Sequence, residues 1–182
     1  MEFKPLAIQD VVLIRPRVFA DARGWFLESW HESKFAAAGL EARFVQENHS
    51  RSVRHTLRGL HYQIHQAQGK LVRVVTGEIF DVAVDIRRHS PTFGKWVGCT
   101  LSAENPQMLW VPPGFAHGFL AMSESVDFLY KCTDFYAPEH ERVIRWDDSE
   151  LAIDWPLPPG IRPLLAPKDA AAPLFRDSEH YP

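Results

Sequence analysis

Short runs of β-branched and aromatic residues recur along the chain. They cover residues 11–14, 25–30, 70–75, 79–86, 96–101, 108–111, 117–122 and 128–133. Turn residues separate them, including Asp21-Ala22-Arg23-Gly24, Thr76-Gly77-Glu78, Ser90-Pro91 and Pro112-Pro113-Gly114. Many short strands at such spacing predict an all-β sandwich or barrel. Phe80, Val82, Val84 and Ile86 alternate with Ile79, Asp81, Ala83 and Asp85, the period of two of a strand with one fully apolar face. Residues 32–38 are alanine-rich, open near Ser33 and end at Gly39, which predicts one short helix. Too few long amphipathic stretches lie between the strands for a βαβ arrangement. Seven of the 14 prolines fall in residues 156–182, which therefore read as an extended strap rather than strand or helix. Trp155, Leu157, Ile161, Leu164 and Leu165 keep the strap apolar enough to pack on the barrel.

Composition narrows the class. A chain of 182 residues with 46% hydrophobic and 24% charged residues suits a single domain over 1–182 and excludes disorder and fibrous repeats. A net charge of -3 argues against a non-specific nucleic-acid binder. Cys99 and Cys132 could form at most one bridge and read as buried thiols of a reducing compartment. No secretory signal and no apolar run of membrane-spanning length is visible, so a soluble, cytoplasmic protein is expected.

The candidate chemistry lies in four blocks. Gln46-Glu47-Asn48-His49-Ser50-Arg51-Ser52 is polar enough for an edge strand and loop. In Leu57-Arg58-Gly59-Leu60-His61-Tyr62-Gln63, an Arg and a His stand among residues that look buried, so each needs a partner or a ligand. On a flat strand Arg58 and His61 face opposite ways; a bulge at Gly59 would bring both to one pocket. Phe128 to Tyr136 carries Tyr130 and Tyr136 at the same parity, so a continuous strand would point both to one face. Lys168-Asp169, in the strap, could orient a histidine if the strap passes the barrel mouth. His31, His55, His65, His89, His140 and His180 read as solvated surface, and His49 is undecided.

Pro112-Pro113-Gly114-Phe115-Ala116-His117 resembles the second motif of the cupins, double-stranded β-helix barrels of the jelly-roll type. Where a metal-binding cupin has its first ligand cluster, this chain has His61-Tyr62-Gln63 and then Lys70. An ammonium has no lone pair to give a metal and repels it. The resemblance therefore implies proton chemistry with no metal and no cofactor. Over nearly its whole length the chain resembles the dTDP-4-dehydrorhamnose 3,5-epimerase (RmlC) family. The matching stretches include Arg23-Gly24-Trp25-Phe26-Leu27-Glu28, Gln68-Gly69-Lys70-Leu71-Val72-Arg73, Ser90-Pro91-Thr92-Phe93-Gly94-Lys95-Trp96, Ile144-Arg145-Trp146-Asp147-Asp148 and Lys168-Asp169, besides the blocks above. Glu47 and Trp25 depart mildly from the expected aspartate and phenylalanine.

The resemblance implies a dTDP-4-keto-6-deoxyhexose substrate, inverted at C3 and C5. It makes His61 the base, Asp169 its orienting carboxylate, Tyr130 the acid and Lys70 the stabiliser of the enolate. It assigns substrate binding to Arg23, Glu28, Gln46, Glu47, Asn48, Arg58, His117, Glu141 and Lys168. Phe26 helps wall the site and Tyr136 stacks on thymine; Asp81 holds His117. It also implies a homodimer that exchanges its N-terminal strands within residues 1–30. A 3-epimerase or 5-epimerase would share nearly all these residues. A sugar-nucleotide-binding cupin without activity would explain the arginines but not the acid and base together.

Overall fold

The structure, a computed structural model, describes residues 1–182. In chain order its elements are β1 (Glu2–Pro5), β2 (Val12–Arg15), β3 (Val18–Asp21), β4 (Gly24–Leu27), α1 (Glu32–Ala37), β5 (Gln46–Val53) and β6 (Leu57–Gln63). There follow β7 (Lys70–Thr76), β8 (Glu78–Asp85), β9 (Trp96–Ser102), β10 (Met108–Val111), β11 (Phe115–Ala121), β12 (Ser125–Cys132), β13 (Glu141–Val143) and α2 (Pro167–Ala170). One sheet runs β1-β2-β10-β7-β12-β5 and a second runs β13-β6-β11-β8-β9, while β3 and β4 form a separate hairpin. All pairings between these strands are antiparallel, and the two larger sheets make the jelly-roll barrel.

Strand parity sorts the apolar residues into three layers. Val72, Val74, Ile79, Ala83, Leu109, Phe119 and Phe128 fill the barrel interior. Leu57, Leu60, Val82, Val84, Ile86 and Leu120 back the five-stranded sheet, where Ile144, Trp155 and Phe175 cover them. Val12, Ile14, Leu71, Met108 and Trp110 back the other sheet under Phe35 of α1. Full burial of each Val, Leu, Ile, Phe or Met side chain among these contributes about 1.5–3 kcal/mol. Because both faces of β8 are covered, its alternation does not divide core from solvent: Asp81 and Asp85 are as buried as Val82 and Val84.

Residues 156–182 belong to no strand of either sheet; they meet the barrel through isolated parallel bridges at Thr56–Leu164 and Arg87–Tyr181, and they are not helix-free. Pro167 opens α2, and Phe175–Asp177 makes a 3-10 turn. Proline at a first helical turn costs no hydrogen bond, so it can start a short helix as well as prevent a long one. The segment is tied down by Leu164 N–H to His55 O at 2.8 Å, Phe175 N–H to Asp148 Oδ2 at 2.8 Å and Tyr181 N–H to Ile86 O at 3.1 Å. The strand expected over 25–30 stops at Leu27, and β1 and β3 add pairing that the sequence pattern did not mark. β1 and β2 are hydrogen-bonded into this chain's own sheet, whereas β3 and β4 pair only with each other. No helix is long and apolar enough to cross a membrane.

Candidate active site

The site begins with a bulge. His61 pairs with His117 and Arg58 with Phe119, so three steps along β6 match two along β11. The extra residue lies at Gly59–Leu60. It restores Arg58 and His61 to one side, while Leu57, Leu60 and Tyr62 join the outer layer. Gly59 has a φ of +127°, and a Cβ there would stand 2.6 Å from Gly118 Cα. The two backbones touch at this point, and no side chain fits between them.

A cavity of about 360 Å³ opens inside the barrel on that side. β6 and β11 contribute Arg58, His61 and His117; β5, β7 and β12 contribute Gln46, Asn48, Lys70 and Tyr130. The strap adds Lys168 and Asp169, the segment after β12 adds Tyr136, and β13 adds Glu141. His61 Nε2 lies 2.6 Å from Oδ1 of Asp169, whose residue is 1% exposed on the short helix α2. His117 Nε2 lies 2.8 and 3.0 Å from the two carboxylate oxygens of buried Asp81. Burial pushes the Lys70 ammonium below its ordinary value, against the opposing pull of Cys132, Asp81 and Glu141. Burial also raises the Tyr130 phenol, which keeps its proton available for donation. Histidine–carboxylate pairs, a protonated phenol and an amine in one cavity can move protons on and off carbon.

The wider end carries charge. Lys168 Nζ donates to both oxygens of Glu141, at 2.7 and 2.8 Å. Arg58 Nε donates to Ser52 Oγ at 3.0 Å, and its NH2 donates to the Arg51 carbonyl at 3.2 Å. These two bonds hold the guanidinium at the cavity wall. Tyr136 reaches the cavity, though not by strand parity: β12 ends at Cys132, and Tyr136 lies in the segment beyond it.

Four expected site residues lie elsewhere in this chain. Arg23 stands on the exposed hairpin, paired with Asp21 at 2.7 Å. Phe26, 67% exposed, is on the same hairpin, and Glu28 just beyond it pairs with Lys34 at 2.7 Å. Strand parity turns Glu47 away from this cavity. Gln46, Asn48 and Ser50 face inward, so Glu47 faces out, pairing with Lys131 at 3.0 Å beside a separate cavity of about 210 Å³.

The wall also contains Ser50, Gln63, Gln68, Phe119 and Phe128, which the sequence reading did not place there. Inward parity on β5, β11 and β12 was the signal available for Ser50, Phe119 and Phe128. The Ser50 hydroxyl is buried without a hydrogen-bond partner. His49 is accounted for by Asp127, 3.1 Å away. His180 is not solvated: both ring nitrogens are buried without partners, with Phe93 and Phe175 ring centroids at 5.1 and 4.6 Å. Burial lowers its pKa. Both cysteines are free thiols. No three His, Cys, Asp or Glu side chains are grouped to hold a metal ion.

This geometry has close counterparts. The sequence model of dTDP-4-dehydrorhamnose 3,5-epimerase matches residues 5–177. The chain is 60% identical to the dTDP-4-dehydrorhamnose 3,5-epimerase of Pseudomonas aeruginosa, with all of both chains covered. It superimposes with a TM-score of 0.94 on the crystal structure of the Legionella pneumophila 3,5-epimerase RmlC in complex with dTDP-4-keto-L-rhamnose. That chain is 51% identical, and the match covers 98% of this chain and 94% of that one. The 3'-monoepimerase ChmJ of Streptomyces bikiniensis, in complex with dTDP-quinovose, is more distant: 34% identity, a TM-score of 0.89, and coverage of 95% and 87%. With its jelly-roll barrel and a match over almost its full length, this chain belongs to the dTDP-4-dehydrorhamnose 3,5-epimerase family.

Proposed function

We propose that this enzyme inverts C3 and C5 of dTDP-4-keto-6-deoxyglucose, giving dTDP-4-keto-L-rhamnose. The observation that carries the reading is the 2.6 Å His61–Asp169 pair in one cavity with Tyr130 and Lys70. Both carbons are α to the C4 ketone, so each proton can leave as an enolate forms. With Asp169 ionised, His61 Nε2–H donates to it and the lone pair rests on Nδ1. The carboxylate then stabilises the imidazolium that proton abstraction creates. His61 stands on the five-stranded sheet and Tyr130 on the six-stranded one, so base and acid come from different walls. Lys70 and His117 meet the C4 oxygen, where a cation stabilises the enolate. Arg58 and Lys168 offset the diphosphate, Gln46, Asn48 and Glu141 bind the nucleotide sugar, and Tyr136 stacks on thymine. Gln63 and Lys70 stand where a metal-binding cupin keeps ligands, and the proton steps themselves need no metal.

Proton NMR of dTDP-4-keto-6-deoxyglucose with the enzyme in D2O tests the reading. Deuterium should enter at C3 and C5 of an L-rhamno product. Label at one carbon only would make this a mono-epimerase, the activity named for ChmJ. Label at neither would leave a binder.

The exposed hairpin favours a homodimer. Val18, Phe19, Trp25 and Phe26 are 42–67% exposed on β3 and β4, an apolar surface larger than scattered side chains would give. Crossing to a second copy would bury it and carry Arg23, Phe26 and Glu28 to the partner's cavity. Arg23→Ala and His61→Ala proteins, each inactive alone, should then recover activity on mixing. Equal mixing should restore about a quarter of the wild-type level, since half the dimers are hybrids with one intact site each. An active monomer by light scattering would refute the exchange. Two free thiols, Cys132 buried and Cys99 only partly so, suit a reducing cytoplasm, where we place the enzyme.

A further inference from the structure

Residues 133–137, beyond β12, carry no strand or helix, yet they hold Tyr136 at the cavity. The tyrosine is 51% exposed. The hydrogen bond its hydroxyl makes, to Glu141 Oε2, is long at 3.4 Å. Its side chain is therefore weakly anchored, and its position is set by its backbone.

That backbone is held by three glutamine side chains. Gln68 Nε2 donates to Asp134 O at 2.9 Å. Gln63 Nε2 donates to Phe135 O at 3.2 Å, and Gln63 Oε1 accepts from Ala137 N–H at 2.9 Å. Gln46 Oε1 accepts from Tyr136 N–H at 2.9 Å. Gln63 thus grips the peptide groups on both sides of Tyr136. Its second amide hydrogen goes to Gln66 O at 2.8 Å, so both donor hydrogens and the acceptor are used. The residue is 4% exposed. It ends β6, two positions after His61, and so joins the base-bearing strand to the segment carrying Tyr136.

We infer that Gln63 is a positioning residue for nucleotide recognition, acting through Tyr136. The inference rests on the reading that Tyr136 stacks on the base. Only a primary amide supplies two donors and an acceptor at this spot. Glutamate cannot donate, and methionine can do neither, although both roughly keep the shape. The amide stands where a metal-binding cupin keeps a ligand histidine, and here the position serves a binding wall.

The test is a double-mutant cycle read by calorimetry, with dTDP and inorganic pyrophosphate as the two probes. Gln63→Met should weaken dTDP binding about tenfold, the size expected for losing hydrogen bonds in a buried setting. Pyrophosphate should bind within about twofold of wild type, which also certifies that the variant is folded. In a Tyr136→Ala background the same change should cost dTDP affinity nothing further. Gln68→Met should show the same pattern at smaller size, and it serves if Gln63→Met fails to fold. Additive losses, or equal losses for dTDP and pyrophosphate, would overturn the inference and leave Gln63 a general stability residue. If Tyr136→Ala itself leaves dTDP affinity unchanged, the base-stacking reading falls and takes this inference with it.

Discussion

Replacing His61 with alanine should stop both deuterium exchange and epimerisation, a loss of about 10²–10⁴-fold if general-base catalysis is the main term. Tyr130→Phe should behave differently. It keeps the ring that packs beside Phe128 but removes the phenolic proton. The enolate can still form, because Lys70 and His117 remain at the C4 oxygen. Protonated His61, once exchanged with D2O, can return a deuteron to the face it came from. Substrate should therefore gain deuterium faster than product appears. Proton NMR of the 4-keto sugar in D2O reads both rates in one sample. If Tyr130→Phe loses exchange and epimerisation together, one shuttling base does both jobs. If it epimerises at the wild-type rate, Tyr130 is only packing.

Lys70→Met should slow turnover about 10²–10³-fold, the usual cost of removing one donor from a developing oxyanion. The same change should stabilise the protein. Burial holds the Lys70 pKa below its ordinary 10.5, so the unfolded chain binds that proton more tightly than the native one. Stability then rises with pH between the native and unfolded pKa values, and the penalty is fully present below both. Thermal melts should show Lys70→Met above wild type near neutral pH, with the gap closing as pH approaches 10.5. In the wild type, the alkaline fall in kcat should begin below the range of an exposed lysine. A variant that melts lower than wild type at neutral pH would mean the amine is a net structural asset, and the electrostatic argument would fail.

Much of this site was readable because a strand's period of two carries over to the cavity wall. Once β12 is placed, Tyr130 must share a face with Phe128, and Lys70 must share one with Val72. Gly59 between Arg58 and His61 signalled the bulge that a strict period would have denied. The same rule, applied strictly, would have excluded Glu47, which entered only through resemblance. Parity failed for Tyr136, since the strand ends before it and glutamine amides take over. It gave no warning about His180 either. Its neighbour Glu179 is exposed, and only the tertiary fold brings Phe93 and Phe175 against the imidazole. Asp169 was legible only as a carboxylate able to orient a histidine, and its partner came from resemblance; no local pattern fixes a contact spanning 108 positions.

That long contact gives the enzyme two levels of cooperativity. The base sits on a central barrel strand, while the carboxylate that orients it sits on a four-residue helix in a segment without strands. Such segments open locally at lower free energy than the sheets they cover. An opening of the strap would leave Arg58, Lys70, Tyr130 and the barrel cavity assembled while taking away the partner of His61. Proton abstraction is thus tied to a segment outside the sheets, and Lys168, on the same helix, leaves the diphosphate subsite when Asp169 leaves His61. Asp169 also follows every strand of both sheets in the chain. During synthesis the barrel strands are therefore complete before the partner of His61 and the second diphosphate cation emerge.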